Sequence, residues 1–180
     1  MYSCNRATQL QNCGPFLTRA GTPRIVFSDC NEGVPANPAG VQQPKEGKAY
    51  GGFSALSSLK TNQDYRGEKY IFLNREYMAF RLISALVNKA RYQVVFYVSL
   101  AEESSFATPA LSVCVSPKPP EQLETLSHTL KEGTTTHKID APEILSDRTN
   151  WQRVAFSFVA SGGEQYVTIG VFAKDISRKL

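Results

Sequence analysis

Between Tyr92 and Leu100 the side chains change character at every step. Tyr92, Val94, Phe96, Val98 and Leu100 fall on one side, and Gln93, Val95, Tyr97 and Ser99 on the other. A period of two in β-branched and aromatic residues is the pattern of a strand with one buried face. The pattern returns downstream, where Val154, Phe156 and Phe158 alternate with Arg153, Ala155 and Ser157. Beyond Gly162-Gly163, Val167, Ile169 and Val171 alternate with Tyr166, Thr168 and Phe172. These last two runs predict strands joined across a glycine turn, and the spacing allows either a hairpin or a crossover between sheets.

The segment Glu68–Ala90 is mixed. Its Leu, Ala, Met, Lys and Arg favour helix, yet Met78, Phe80 and Leu82 alternate with Arg75, Tyr77, Ala79 and Arg81. The alternation decides for a strand over Arg75–Ile83. A further strand is predicted over Ala110–Ser116, stopped by Pro117-Lys118-Pro119-Pro120, because proline cannot donate to a ladder. Residues 121–148 are polar, with Ile139, Pro142, Ile144 and Leu145 anchoring a short strand and turn. Residues 1–46 are rich in Gly, Pro, Asn and Gln and read as a stapled, loop-rich segment with one short strand near Ile25-Val26-Phe27. With 180 residues, 42% hydrophobic and 20% charged, the chain makes one globular domain, its sandwich core over 47–175. Disorder, collagen and coiled coil are excluded as whole-chain descriptions. Several short strands without alternating long helices predict an all-β, antiparallel β-sandwich.

No run approaches 18 apolar residues, so no membrane insertion is expected. Twenty Lys and Arg against sixteen acids give +4, but the charges are scattered, and no nucleic-acid partner is expected. The start, Met1-Tyr2-Ser3-Cys4, has neither a basic region nor an apolar core, so no signal peptide is expected in it. Cys4, Cys13, Cys30 and Cys114 form no CxxC pair, and only His128 and His137 accompany them, which argues against a zinc site. An even count with three cysteines in the first thirty residues fits one or two disulfides and an oxidising compartment; buried thiols are the alternative.

The residues carry little catalytic chemistry. His128 and His137 lie in polar, threonine-rich runs, and no serine has the glycine-flanked setting of a nucleophile elbow. No phosphate-binding loop or dinucleotide fingerprint is found. Glu76, Glu102, Glu103 and Glu164 could converge as the paired carboxylates of a glycosidase, or Glu102, Glu103 and Glu164 could hold a structural calcium. Hydrogen bonds that fix loop backbones at strand ends are the simpler expectation. Aromatic content is more informative, because sugar rings stack on aromatic faces while polar groups bond their hydroxyls. Strand parity puts Tyr77, Tyr97 and Tyr166 opposite the apolar faces, and Tyr50 and Trp151 stand at strand starts. Arg75-Glu76-Tyr77 sets a charged pair beside an aromatic, which either reads a ligand or forms a structural ion pair. The candidate contact residues are therefore Tyr50, Arg75, Tyr77, Tyr97 and Trp151.

One ordered series of short strings adds a resemblance. It comprises Gly21-Thr22-Pro23, Cys30, Val34-Pro35-Ala36-Asn37, Gly40, Gly47 to Gly52, Arg75-Glu76-Tyr77, Tyr92 to Ala101, Trp151, Ala160 to Glu164 and Ile169-Gly170. Over residues 3–175 it resembles a domain of secreted and outer-membrane proteins of Bacteroidota, found there with outer-membrane protein A-like or sorting domains. Phe16 stands where relatives carry tryptophan, and Arg24 where they carry aspartate. The resemblance implies a galactose-binding-like jelly roll, export to the cell surface, periplasm or outside, and a non-catalytic role on a glycan or other cell-envelope component. Cys13 and Cys114 lie outside the family pattern, which implies pairing of Cys4 with Cys30 and of Cys13 with Cys114. No catalytic residue and no cofactor carry over. The competing readings are a structural or adhesive domain that meets another protein or its own copy, and, less favoured, a glycoside hydrolase.

Overall fold

The computed structural model describes residues 34–56, 75–108, 111–118 and 144–172 with their side chains, and 16–17, 24–27, 57–63, 69–74 and 137–140 as backbone. Among these residues the chain forms strands and no helix. In chain order they are β1 (Phe16–Leu17), β2 (Arg24–Phe27), β3 (Ala36–Asn37), β4 (Gly40–Val41), β5 (Ala49–Gly52), β6 (Ser57–Gln63) and β7 (Lys69–Asn74). There follow β8 (Met78–Arg81), β9 (Arg91–Val98), β10 (Leu111–Ser116), β11 (His137–Asp140), β12 (Gln152–Val159) and β13 (Tyr166–Val171). Every pairing is antiparallel.

Two sheets carry the core. One is a five-stranded sheet in the order β1-β8-β13-β10-β11, and the other is the β9–β12 ribbon. In the ribbon Phe96 lies opposite Val154 and Val94 opposite Phe156, so the alternating apolar positions of both strands share one face. That face meets Leu111, Val113 and Val115 of β10 and Val167 and Ile169 of β13 in a single hydrophobic cluster. The arrangement is sandwich-like: each sheet hides from water what the other cannot. The crossover alternative holds for the glycine turn, because β12 pairs with β9 whereas β13 pairs with β8 and β10. The smaller pairs are β2–β5, β3–β4 and β6–β7.

β10 and β13 are buried on both faces, which is why their sequences alternate less cleanly than the ribbon's. Behind the main core, Tyr77, Cys114 and Phe172 make a second cluster. Here the structure corrects the expected strand over Arg75–Ile83, which is reduced to Met78–Arg81. Arg75, Glu76 and Tyr77 form a non-ladder lead-in. Glu76 and Ser54 bind each other, the Glu76 N–H donating to the Ser54 carbonyl at 3.0 Å and the Ser54 N–H donating to Glu76 Oε2 at 2.6 Å. The Tyr77 hydroxyl donates to the Val171 carbonyl at 2.9 Å.

Cys114 is buried, and Cys4, Cys13 and Cys30, with both expected pairings, lie outside the described residues. So does His128; His137 belongs to β11.

Thr168, on the second face of β13, is buried with no hydrogen-bond partner for its hydroxyl among the described residues. A buried hydroxyl without a partner costs about 1 to 3 kcal/mol of desolvation. Thr168→Val, nearly the same shape, is therefore expected to raise stability by about 1 kcal/mol. A urea unfolding midpoint that falls in the variant would contradict this.

Candidate functional site

The end of the ribbon where β9 stops and β12 starts is built against the segment 34–52. Asn37 Oδ1 accepts the Ala39 N–H at 2.9 Å, an Asx turn that closes the β3–β4 hairpin. Gly40 sits at φ +135°, and a Cβ there would come within 2.8 Å of Glu102 Oε2. Glycine thus lets Glu102 approach closely enough to accept the Val41 N–H at 2.9 Å. The Glu103 N–H donates to the Ala39 carbonyl at 3.2 Å, so the hairpin is docked on the corner after β9. Arg148 holds the same corner from the other side, donating to the carbonyls of Ala101 (3.0 Å), Glu102 and Ser104 (2.7 Å).

Three aromatic rings gather on this frame. Tyr97 is the last outward-facing residue of β9, opposite Arg153, and is 37% exposed. Trp151 precedes β12 with the same outward parity, which puts it diagonal to Tyr97 at roughly the 7–8 Å of such pairs. Its indole N–H donates to the Gln43 carbonyl at 2.8 Å. Tyr50 meets the indole edge to face, with ring centroids 5.6 Å apart and planes at 71°. The Asn37 side-chain amide donates to the Tyr50 hydroxyl at 2.7 Å. The exposed Lys45 places its ammonium 5.0 Å from the Tyr97 centroid, a cation–π contact that a stacking ligand could displace. Burial pushes the Tyr50 phenol above its ordinary value, with the Glu102 charge adding to it and the Asn37 hydrogen bond opposing. The phenol therefore stays neutral at physiological pH and keeps its O–H as a donor.

Of the five residues the sequence singles out, Tyr50, Tyr97 and Trp151 share this corner. Arg75 and Tyr77 do not: they are 2% and 1% exposed, with Tyr77 in the second core cluster. The structure takes both off the surface, because the outer face that parity assigned to Tyr77 is itself covered. Tyr166 is half-buried at the start of β13, away from the corner. Sequence reasoning missed Asn37, Lys45 and Arg148, whose roles depend on contacts with residues far along the chain. Only the Asn37-Pro38-Ala39-Gly40 turn could have been read locally.

The carboxylates of Glu76, Glu102 and Glu164 hold backbone. Glu164 is fully buried, and its carboxylate oxygens accept the N–H groups of Ser161 and Gly162 at 2.8 Å each. Glu76 and Glu102 accept the Ser54 and Val41 N–H groups as described above. Among the described residues no three His, Cys, Asp or Glu side chains gather to hold a metal ion.

Asp147 shapes the 147–150 turn before Trp151. Its Oδ1 accepts the N–H groups of Thr149 and Asn150 at 2.8 Å each, and its backbone carbonyl accepts the Leu100 N–H at 2.8 Å. The Asn150 N–H, then the Thr149 N–H, hold the carboxyl below its ordinary value of 3.8. A depressed carboxyl adds stability that is present above the ordinary value and is lost as pH falls through the lowered one. The stability difference between the wild-type protein and Asp147→Asn should therefore be constant above that ordinary value and shrink at lower pH. Unfolding midpoints measured across pH check this, and a difference that widens on acidification would contradict it.

No protein-family model, no curated protein and no solved structure matches the chain.

Proposed function

We propose that the chain is a non-catalytic carbohydrate-binding module of an exported protein, recognising a glycan or a similar cell-envelope component through the Tyr50–Tyr97–Trp151 corner. The observation that carries this reading is the convergence of three partly exposed aromatic rings with polar and cationic groups. Aromatic faces supply apolar area for the C–H surface of a sugar ring, and Asn37, Lys45, Tyr50 and Glu102 offer donors and acceptors for its hydroxyls. Tyr50 and Trp151 are held by hydrogen bonds before any ligand arrives, so little ordering entropy of these two rings opposes binding. Within this proposal the sandwich-like sheets form a galactose-binding-like jelly roll without turnover, which is supported by the use of the Glu76, Glu102 and Glu164 carboxylates to fix backbone. Retention of the purified chain on immobilised polysaccharides, with free-sugar competition, tests the reading. Saturable, competable retention without release of reducing ends is expected.

The exposed Val95 and Val159 on the ribbon's outer face favour a second reading, an adhesive domain that pairs with a protein or with its own copy. Clean negatives on glycans together with a concentration-dependent dimer would select it.

A further inference from the structure

At the end of the ribbon opposite the aromatic corner, the loop 82–90 joins β8 to β9 and lies against the turn 160–165. It is stitched down at several points. The Leu82 N–H donates to the Gln165 carbonyl (2.7 Å), the Leu86 N–H to the Glu164 carbonyl (2.9 Å) and the Lys89 N–H to the Ala160 carbonyl (2.8 Å). The Val87 N–H donates to the Tyr92 hydroxyl at 3.0 Å. Leu82 and Leu86 pack on the main core. Ile83 and Val87, one residue further along in each case, point away from it and are 106% and 64% exposed. The loop therefore holds two aliphatic side chains in solvent while burying their neighbours.

Among the described residues the surroundings are of one charge. Arg81, Lys89 and Arg91 are exposed around the tip, whereas residues 77–93 contain no acid and residues 151–165 contain only the fully buried Glu164. We propose that this tip is a contact site for an anionic lipid surface: Ile83 and Val87 enter the boundary between headgroups and acyl chains, and Arg81, Lys89 and Arg91 meet the headgroup charges. Charge complementarity selects this occupant. A second copy would set three cations against three cations across a twofold axis. A protein partner needs about 800 Å² on each side, far more than two aliphatic side chains on a loop offer. The contact is superficial, and no helix of the described residues is long and apolar enough to cross a membrane. The eight residues of β9 separate the tip from Tyr97 and Trp151 by roughly 25 Å, so the aromatic corner faces away from the lipid.

Flotation of the full chain with vesicles of phosphatidylcholine containing phosphatidylglycerol, compared with phosphatidylcholine alone, tests the proposal. Binding to the anionic vesicles is expected, weakened by added salt and by Lys89→Gln. The double substitution Ile83→Ser with Val87→Ser should reduce binding by roughly tenfold or more, since these side chains supply the buried apolar area. Both positions are exposed, and an unchanged melting temperature verifies the fold of the variant. Three results would overturn the proposal: no flotation with anionic vesicles, flotation unaffected by the double substitution, or a dimer that the substitution abolishes with no vesicle binding in the wild-type protein.

Discussion

Gly170→Ala is expected to destabilise the fold by about 3 kcal/mol, at the upper end of what one added methyl costs in a packed interior. The Tyr77 ring lies directly on Gly170. A Cβ at that position would sit 2.9 Å from Tyr77 Cε1 and deep inside the contact distance of Cδ1. Relief requires the ring to move, and it is fixed by its hydroxyl bond to the Val171 carbonyl and by Phe172, whose ring centroid is 5.0 Å away. Backbone strain is not the cause, since Gly170 is not among the glycines at positive φ. Tyr77→Phe removes only the hydrogen bond and should cost about 1 kcal/mol. Because the two residues touch, their effects should not add: in a Tyr77→Ala background the alanine at 170 finds room and costs much less. Urea unfolding of the four proteins measures this, and a Gly170→Ala penalty unchanged by Tyr77→Ala would refute the packing described.

Trp151→Ala is expected to weaken glycan binding about 30- to 100-fold, the equivalent of about 2 to 3 kcal/mol for a lost aromatic contact and its apolar area. The indole also holds the site together, bonding the Gln43 carbonyl and meeting the edge of Tyr50. Stability should therefore fall as well, by about 2 kcal/mol. Trp151→Phe separates the two roles. It keeps an aromatic face but leaves the Gln43 carbonyl without the indole donor, so it should keep most of the affinity and lose part of the stability. Isothermal titration on the best polysaccharide found, beside unfolding curves, distinguishes them. A Trp151→Ala protein that is less stable yet binds as tightly would show the ring to be structural only.

The sequence was legible where one face of a strand is buried and the other is wet. β9 and β12 are such strands, and Val94, Phe96, Val154 and Phe156 lie inward as their spacing predicts. It was less legible where both faces are covered. Parity assigns Tyr77 an outer face, but parity carries no information on whether Phe172 and Cys114 will cover that face. The hairpin of β6 and β7 was not read, because Ser57–Gln63 is mostly polar and its pairing depends on a partner strand. Aromatic content pointed to Tyr50, Tyr97 and Trp151 individually. What joins them, Gln43 to Trp151 and Asn37 to Tyr50, are contacts between residues 108 and 13 positions apart, and these follow from the packing of the β3–β4 hairpin. Glu102 and Glu164 were ambiguous for a related reason: a carboxylate that caps a loop and one that does chemistry have the same letter, and only their backbone partners distinguish them.

Trp151 is the only tryptophan in the chain, so its emission reports on the aromatic corner without labelling. Titrating the intact protein with envelope-derived and plant oligosaccharides while following that fluorescence addresses the proposed function most directly. The account predicts a saturable spectral change with at least one glycan class, absent in Tyr97→Ala and unaccompanied by cleavage of the sugar. Emission that stays unchanged across the panel, while the folded state is verified by its unfolding curve, would contradict it.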